Sequence, residues 1–177
     1  MQCGNFVTLN IGEYVFMRKF KNIMCIMLCI LCIVSITACG GADNTPSPEA
    51  LVSEIKTYTD ESIVWASLES DKITGYFGFS GEKARELSAV INDDDEKCDI
   101  IAAFLIENET DRLSAIEAIG RSLATTAKTF ETTNNSESQK LKSCIIYVKG
   151  DTLVAVVSSN IEKIKTMLAD KGFVSAV

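Results

Sequence analysis

The stretch CIIYVKGDTLVAVVSS, residues 144–159, decides the fold. Two apolar runs, 143–149 and 152–158, meet at Gly150-Asp151. A two-residue joint between apolar runs is a β-hairpin turn, and glycine supplies the positive φ such a turn needs. The chain therefore holds an antiparallel pair of strands, and the segments around it are read for what they add.

Upstream, DIIAAFLIE (99–107) is a continuous apolar run bounded by polar turns. That is the pattern of a strand covered on both faces or nearly so. In NETDRLSAIEAIGRSLATTAKTFE (108–131), Leu113, Ile116, Ile119, Leu123, Ala127 and Phe130 recur three or four apart. This spacing predicts an amphipathic helix over 109–130. Asn108 or Thr110 can cap it, and Glu109 and Asp111 suit the positive end of its dipole. TTNNSESQ (132–139) breaks the pattern. Beyond the hairpin, Ser159 and Glu162 fit a capping box. Ile161, Ile164, Met167 and Leu168 then predict a last helix ending at Gly172.

Towards the N-terminus the signals weaken. KARELSAVIND, with Ala84, Leu87 and Val90, predicts a strand over 84–91. DKITGYFGF (71–79) reads as a short helix or turn ending at Gly78, and IVWASL (63–68) fits strand or helix. Pro48 and Glu49 open a helix over 48–57 whose inner face is Leu51, Val52 and Ile55. The order is α, a short element, then β-β-α-β-β-α. It predicts an α+β fold over 49–173: a two-layer sandwich with a four-stranded, mainly antiparallel sheet and helices packed on one face.

The segment ahead of this body has a different character. MRKFK (17–21) is positively charged, and NIMCIMLCILCIVSITA (22–38) is an uncharged, mostly apolar run. Together they have the layout of an export signal, with small residues at Thr37 and Ala38 where a signal peptidase cuts. Ile36-Thr37-Ala38-Cys39 resembles the bacterial lipobox, which makes Cys39 the lipid-attachment residue and the first residue of the mature chain. Cys25, Cys29 and Cys32 imitate the spacing of an iron–sulfur motif. They fall at i, i+4 and i+7 of an apolar helix with no polar surroundings, where cysteine is a small hydrophobe. An uncleaved membrane span is the competing reading, and the run is slightly short of the ~20 residues a bilayer needs. Residues 1–16 contain no basic residue and one glutamate. They fit no part of a signal and read as an upstream extension mis-assigned to the gene, with Met17 the true start. Residues 39–48 hold glycines, Ser47 and both prolines of the chain, the composition of a flexible tether.

Charge excludes some partners. The chain has 17 basic and 24 acidic residues, of which Arg18, Lys19, Lys21 and Glu13 precede Cys39. From Cys39 onward the net charge is therefore −9. An acidic body repels phosphate backbones, so nucleic acid is not an expected partner, and neither is an anionic lipid surface held by a basic patch.

Candidate chemistry is sparse. The sequence has no histidine, which removes the commonest general base and the most frequent zinc ligand. Asn92-Asp93-Asp94-Asp95-Glu96 lacks the alternation and central glycine of a calcium loop, and reads as a solvated turn between strands. Cys98 and Cys144 either form a disulfide, which export permits, or are two small buried residues. Glu82 with Glu86 shows a spacing found on any charged surface. Tyr76, Phe77 and Phe79 line a pocket or, as aromatic residues more often do, pack in the core. No catalytic, cofactor-binding or metal-ligating set is expected.

Residues 17–41, DKITGYFGF, CDIIAAFLIEN with the long helix after it, and GDTLVAVVSSNIEKI together resemble the domain-of-unknown-function family 4358, small lipoproteins of clostridial-type Gram-positive bacteria. The resemblance covers roughly 70–173 and the signal region. It implies a lipid-anchored envelope protein and a fold, and supplies no catalytic residues. The thiol at Cys98 departs from the family pattern, where a small non-thiol residue is expected. The expectation is thus a non-enzymatic lipoprotein on the outer face of the cytoplasmic membrane that binds a protein or small ligand. The alternatives are a small envelope enzyme using carboxylates, and a structural or immunity-type partner of a membrane complex. A cleft with converging buried carboxylates favours the enzyme; a flat apolar patch or an open sheet edge favours partner binding.

Overall fold

The hairpin over 144–159 forms as its sequence predicts. Ile145–Lys149 and Thr152–Val157 pair antiparallel with Lys149 opposite Thr152. Gly150 sits at φ 54 and Asp151 keeps a negative φ, the pattern of a turn with glycine at its first central position. The structure, a computed structural model, describes residues 45–176. Cys39, the segments 1–16 and 17–38 with Cys25, Cys29 and Cys32, and the first part of the tether lie outside the described residues.

In chain order the elements are α1 (Pro48–Lys56), β1 (Trp65–Ser67), α2 (Ile73–Phe77), β2 (Glu86–Asn92), β3 (Ile100–Leu105), α3 (Glu109–Phe130), α4 (Asn135–Lys142), β4 (Ile145–Lys149), β5 (Thr152–Val157), α5 (Ile161–Asp170) and β6 (Val174–Ser175). The strands make one sheet in the order β1-β2-β3-β5-β4-β6, antiparallel at every step. The α+β class and the antiparallel sheet are as expected.

Three expectations are corrected. The sheet has six strands rather than four: the segment read as strand or helix supplies β1 at one edge, and β6 closes the other. The order of elements also differs, because 132–139 does not simply break the pattern but opens α4. Finally, helices cover both faces of the sheet, so the body has three layers. On one face Ile100, Ala102, Phe104, Leu153, Ala155 and Ile146 pack against Ile73 and Phe77 of α2, Ile119 and Leu123 of α3, and Leu141 of α4. On the other, Ile101, Ala103, Val154, Val156 and Ile145 pack against Leu51, Val52 and Ile55 of α1 and Ile164, Met167 and Leu168 of α5. The cause is the two-residue alternation of a strand. β3 and β5 are apolar at nearly every position, so each face presents a hydrophobic row that has to be covered.

Local choices agree with these elements. Ser47 caps α1 by accepting from the Ala50 N–H at 3.3 Å, with Pro48 in the first turn. Asn108 caps α3 through the Asp111 N–H at 3.0 Å. Gly78 ends α2 at φ 71, a left-handed position that favours glycine. The capping box at Ser159 does not form. The cap of α5 is Asn160, whose N–H donates to Ser158 Oγ, while Glu162 pairs with Lys165. Phe77 and Phe79 both meet Phe104 edge-on, with ring centroids 5.6 and 5.1 Å apart, and belong to the core.

Candidate functional site

The most concentrated chemistry among the described residues lies at the end of the sheet where β2 turns into β3. The turn is built by its own acidic side chains. Asn92 Oδ1 accepts the Asp94 N–H, Asp94 Oδ1 accepts the Glu96 N–H, and the Lys97 N–H donates to the Asp94 carbonyl. Asp93, Asp94, Asp95 and Glu96 remain exposed, which is the solvated turn expected of this run. The ladder continues one step past it, through the Asn92 N–H to the Asp99 carbonyl at 2.9 Å.

Helix α4 brings the complementary groups. Asn134 caps it, and its Nδ2 also reaches the Glu96 carbonyl at 3.4 Å, tying the helix start to the turn. Glu137 and Lys140, three apart, share the helix side that faces β3. The Lys140 ammonium lies 3.0 Å from Asp99 Oδ2 and 2.8 Å from Glu137 Oε2, bridging two carboxylates. Asp99 and Glu137 are each only 3% exposed. Asn92 Nδ2 adds a bond to Asp99 Oδ2 at 3.1 Å. Glu137 Oε2 also accepts the Cys98 N–H at 3.0 Å, with the Cys98 thiol 3.0 Å away. Lys97 stands further off, its ammonium 3.9 Å from Glu137 Oε1 and its side chain nearly half exposed.

The electrostatics follow from this packing. Burial pushes the Glu137 carboxyl up, but the bonds from the Cys98 thiol, Lys140 and the Cys98 N–H outweigh it and hold its pKa below the ordinary value. Burial likewise works against the Lys140 ammonium, and the Glu137 and Asp99 carboxylates overcome it and raise its pKa. The Cys98 thiol is pushed far up by burial and by its bond to Glu137, so it stays protonated and is a poor nucleophile. One atom is left out of the network: Asp99 Oδ1 is buried with no hydrogen-bond partner among the described residues. An unsatisfied buried polar atom costs about 1–3 kcal/mol.

Two hollows adjoin the network. A cleft of about 550 Å³ is lined by Asp99, Glu137 and Lys140, by Asp60, Asp93 and Asp94, and by an apolar wall of Ile63 and Val64. A smaller one of about 290 Å³ lies towards Tyr76, Leu123 and Phe130. Asn92, Lys97 and Asp99 line both.

The other candidates fall elsewhere. Tyr76 lines the smaller hollow while Phe77 and Phe79 are core, so that aromatic cluster divides. Cys98 and Cys144 are free thiols. They precede β3 and β4, which β5 separates, and two inter-strand steps span about 9–10 Å, beyond the reach of a disulfide. Glu86 pairs with Arg85 at 3.2 Å rather than with Glu82. Asp99, Glu137 and Lys140 were not singled out by sequence. Two signals point to them: a carboxylate opening an otherwise apolar strand, and Asn134-x-x-Glu137, the spacing of a helix start. Among the described residues no group of three or more Cys, Asp or Glu side chains is arranged to hold a metal ion, and none of their helices is long and apolar enough to cross a membrane.

No protein-family model matches the chain, no curated protein matches it, and no solved structure matches it.

Proposed function

We propose that the chain is an exported lipoprotein, anchored through Cys39 to the outer face of the cytoplasmic membrane, whose folded body is a ligand-binding module of the cell envelope. The observation that carries the anchor is Ile36-Thr37-Ala38-Cys39 placed directly after a basic segment and an apolar run. Membership of the domain-of-unknown-function family 4358 is part of the same proposal and rests on the motifs that resemble it. Binding is supported by the cleft, whose size suits a small organic ligand and whose polar groups are held in place before any ligand arrives. The sheet edges offer less to a protein partner, since β1 and β6 have three and two residues.

A second reading, a small envelope enzyme, is favoured by one observation: two buried carboxylates converge at the cleft. Lys140 lies between them and bonds both, so Glu137 stays ionised and paired rather than free to take or give a proton. The protonated Cys98 thiol supplies no nucleophile beside them. Binding is therefore preferred.

Metabolic labelling with an alkyne fatty acid tests the anchor. The wild-type chain takes up label and Cys39→Ser does not. Equal labelling of the variant overturns the assignment.

A further inference from the structure

One acceptor of the network at the cleft is left without a donor. Asp99 Oδ2 receives both Lys140 and Asn92, whereas Oδ1, in a residue 3% exposed, receives nothing among the described residues. The cleft that Asp99 lines is acidic: its carboxylates are Asp60, Asp93, Asp94, Asp99 and Glu137, its cations Lys97 and Lys140. Such an excess in a recess focuses a field that concentrates cations. Because Lys140 already occupies the space between the two buried carboxylates, and no three-ligand group stands there, the arrangement suits an N–H donor rather than a metal ion. Ile63 and Val64 offer a short alkyl chain an apolar wall, and Val64 is 66% exposed.

We propose that the cleft binds a primary alkylammonium group, whose N–H donates to Asp99 Oδ1 and whose alkyl chain lies along Ile63 and Val64. The proposal rests on reading the body as a binding module and names the ligand class that module takes. Asp99 Oδ1 is shielded, so a neighbour has to move for a donor to reach it. In the proposal the neighbour that moves is Lys97, which lines the cleft with Asp99 and whose 3.9 Å approach to Glu137 is too long for a hydrogen bond. The ligand ammonium replaces the Lys97 ammonium, and the charge balance at the carboxylates is kept.

The test titrates the full chain in nonionic detergent and follows backbone amide shifts. The probes are 1,5-diaminopentane, an end-capped Gly-Lys-Gly peptide, tetramethylammonium and calcium ion. A saturable shift at 92–99 and 137–140 is expected with the diamine, at least tenfold weaker with tetramethylammonium, which has no N–H. The capped peptide separates the two sources of the group: a stronger response than the diamine assigns the site to a lysine side chain, a weaker one to a free amine, and either supports the class. Asp99→Asn weakens the diamine at least tenfold. Lys97→Met, an exposed turn position, tightens it severalfold and serves if Asp99→Asn does not fold. Equal response to tetramethylammonium, a stronger response to calcium, or weaker binding by Lys97→Met overturns the proposal. Loss of lipid labelling at Cys39 leaves these shifts untouched, so the two assignments fail separately.

Discussion

At the scale of single residues, the cluster around Glu137 sets how the fold responds to pH. Its folded pKa lies below the ordinary 4.5, so its contribution is complete above that value and is lost as pH falls through the lowered one. Lys140 runs the other way: raised above 10.5, it contributes fully below that value and loses its contribution as pH climbs past its folded pKa. We expect Glu137→Gln to lower stability at neutral pH by about 1–3 kcal/mol, because it removes the charge from a buried, bonded acceptor. The variant should also lose less stability than wild type between about pH 5 and pH 3. Urea midpoints across that range check both, and parallel pH profiles would contradict the role given to Glu137. Local sequence marks the places, a carboxylate opening β3 and the Asn134-x-x-Glu137 spacing, but not their meeting. Glu137 and Lys140 sit in a polar octet whose charges look like any solvated surface, and Asp99 meets them only because the sheet end lies under α4.

Elements were legible in proportion to their apolar content. The 22-residue α3 has observed bounds Glu109–Phe130 that match the expected ones, and its buried face is Ala115, Ile119, Leu123 and Ala127, whereas Leu113 of the expected stripe is exposed. Helix α4 (NSESQKLK) has one aliphatic residue, Leu141, so periodicity gives nothing to see. It forms because Asn134 caps it, Ser138 Oγ bonds the Ala127 carbonyl at 2.8 Å, and Leu141 is buried against the core. The capping box at Ser159 shows the reverse failure, in which a motif fits the letters and the backbone begins the helix one residue later. One helical position has room for improvement. A Cβ at Gly120, in the interior of α3, would meet only Ile146 Cδ1 at 3.9 Å, an ordinary contact. Gly120→Ala should therefore stabilise the fold by about 0.5–1 kcal/mol through helix propensity. Thermal unfolding that is unchanged or lower would show α3 closer to the sheet than described.

For the whole molecule, the layer number was implicit in the stretch read first. A sheet whose central strands are apolar at nearly every position needs cover on both faces, and α1 with α5 supplies the second cover. Counting helices between hairpins suggested one covered face; the strand composition held the contrary information. The edge strands were poorly marked for another reason, β1 lying in a segment that fits strand or helix alike and β6 giving no signal. Three- and two-residue segments with little burial carry no alternation, and only pairing to β2 and β4 makes them strands. The proposed function joins the acidic body and its cleft to the lipobox-like Ile36-Thr37-Ala38-Cys39, as a module that meets small ligands while held at a membrane surface. The most direct test is the mass of the N-terminal peptide of the chain recovered from membranes. The expected peptide begins at Cys39 and carries a diacylglyceryl group on its thiol. An unmodified peptide that runs through Ala38-Cys39 would contradict the assignment.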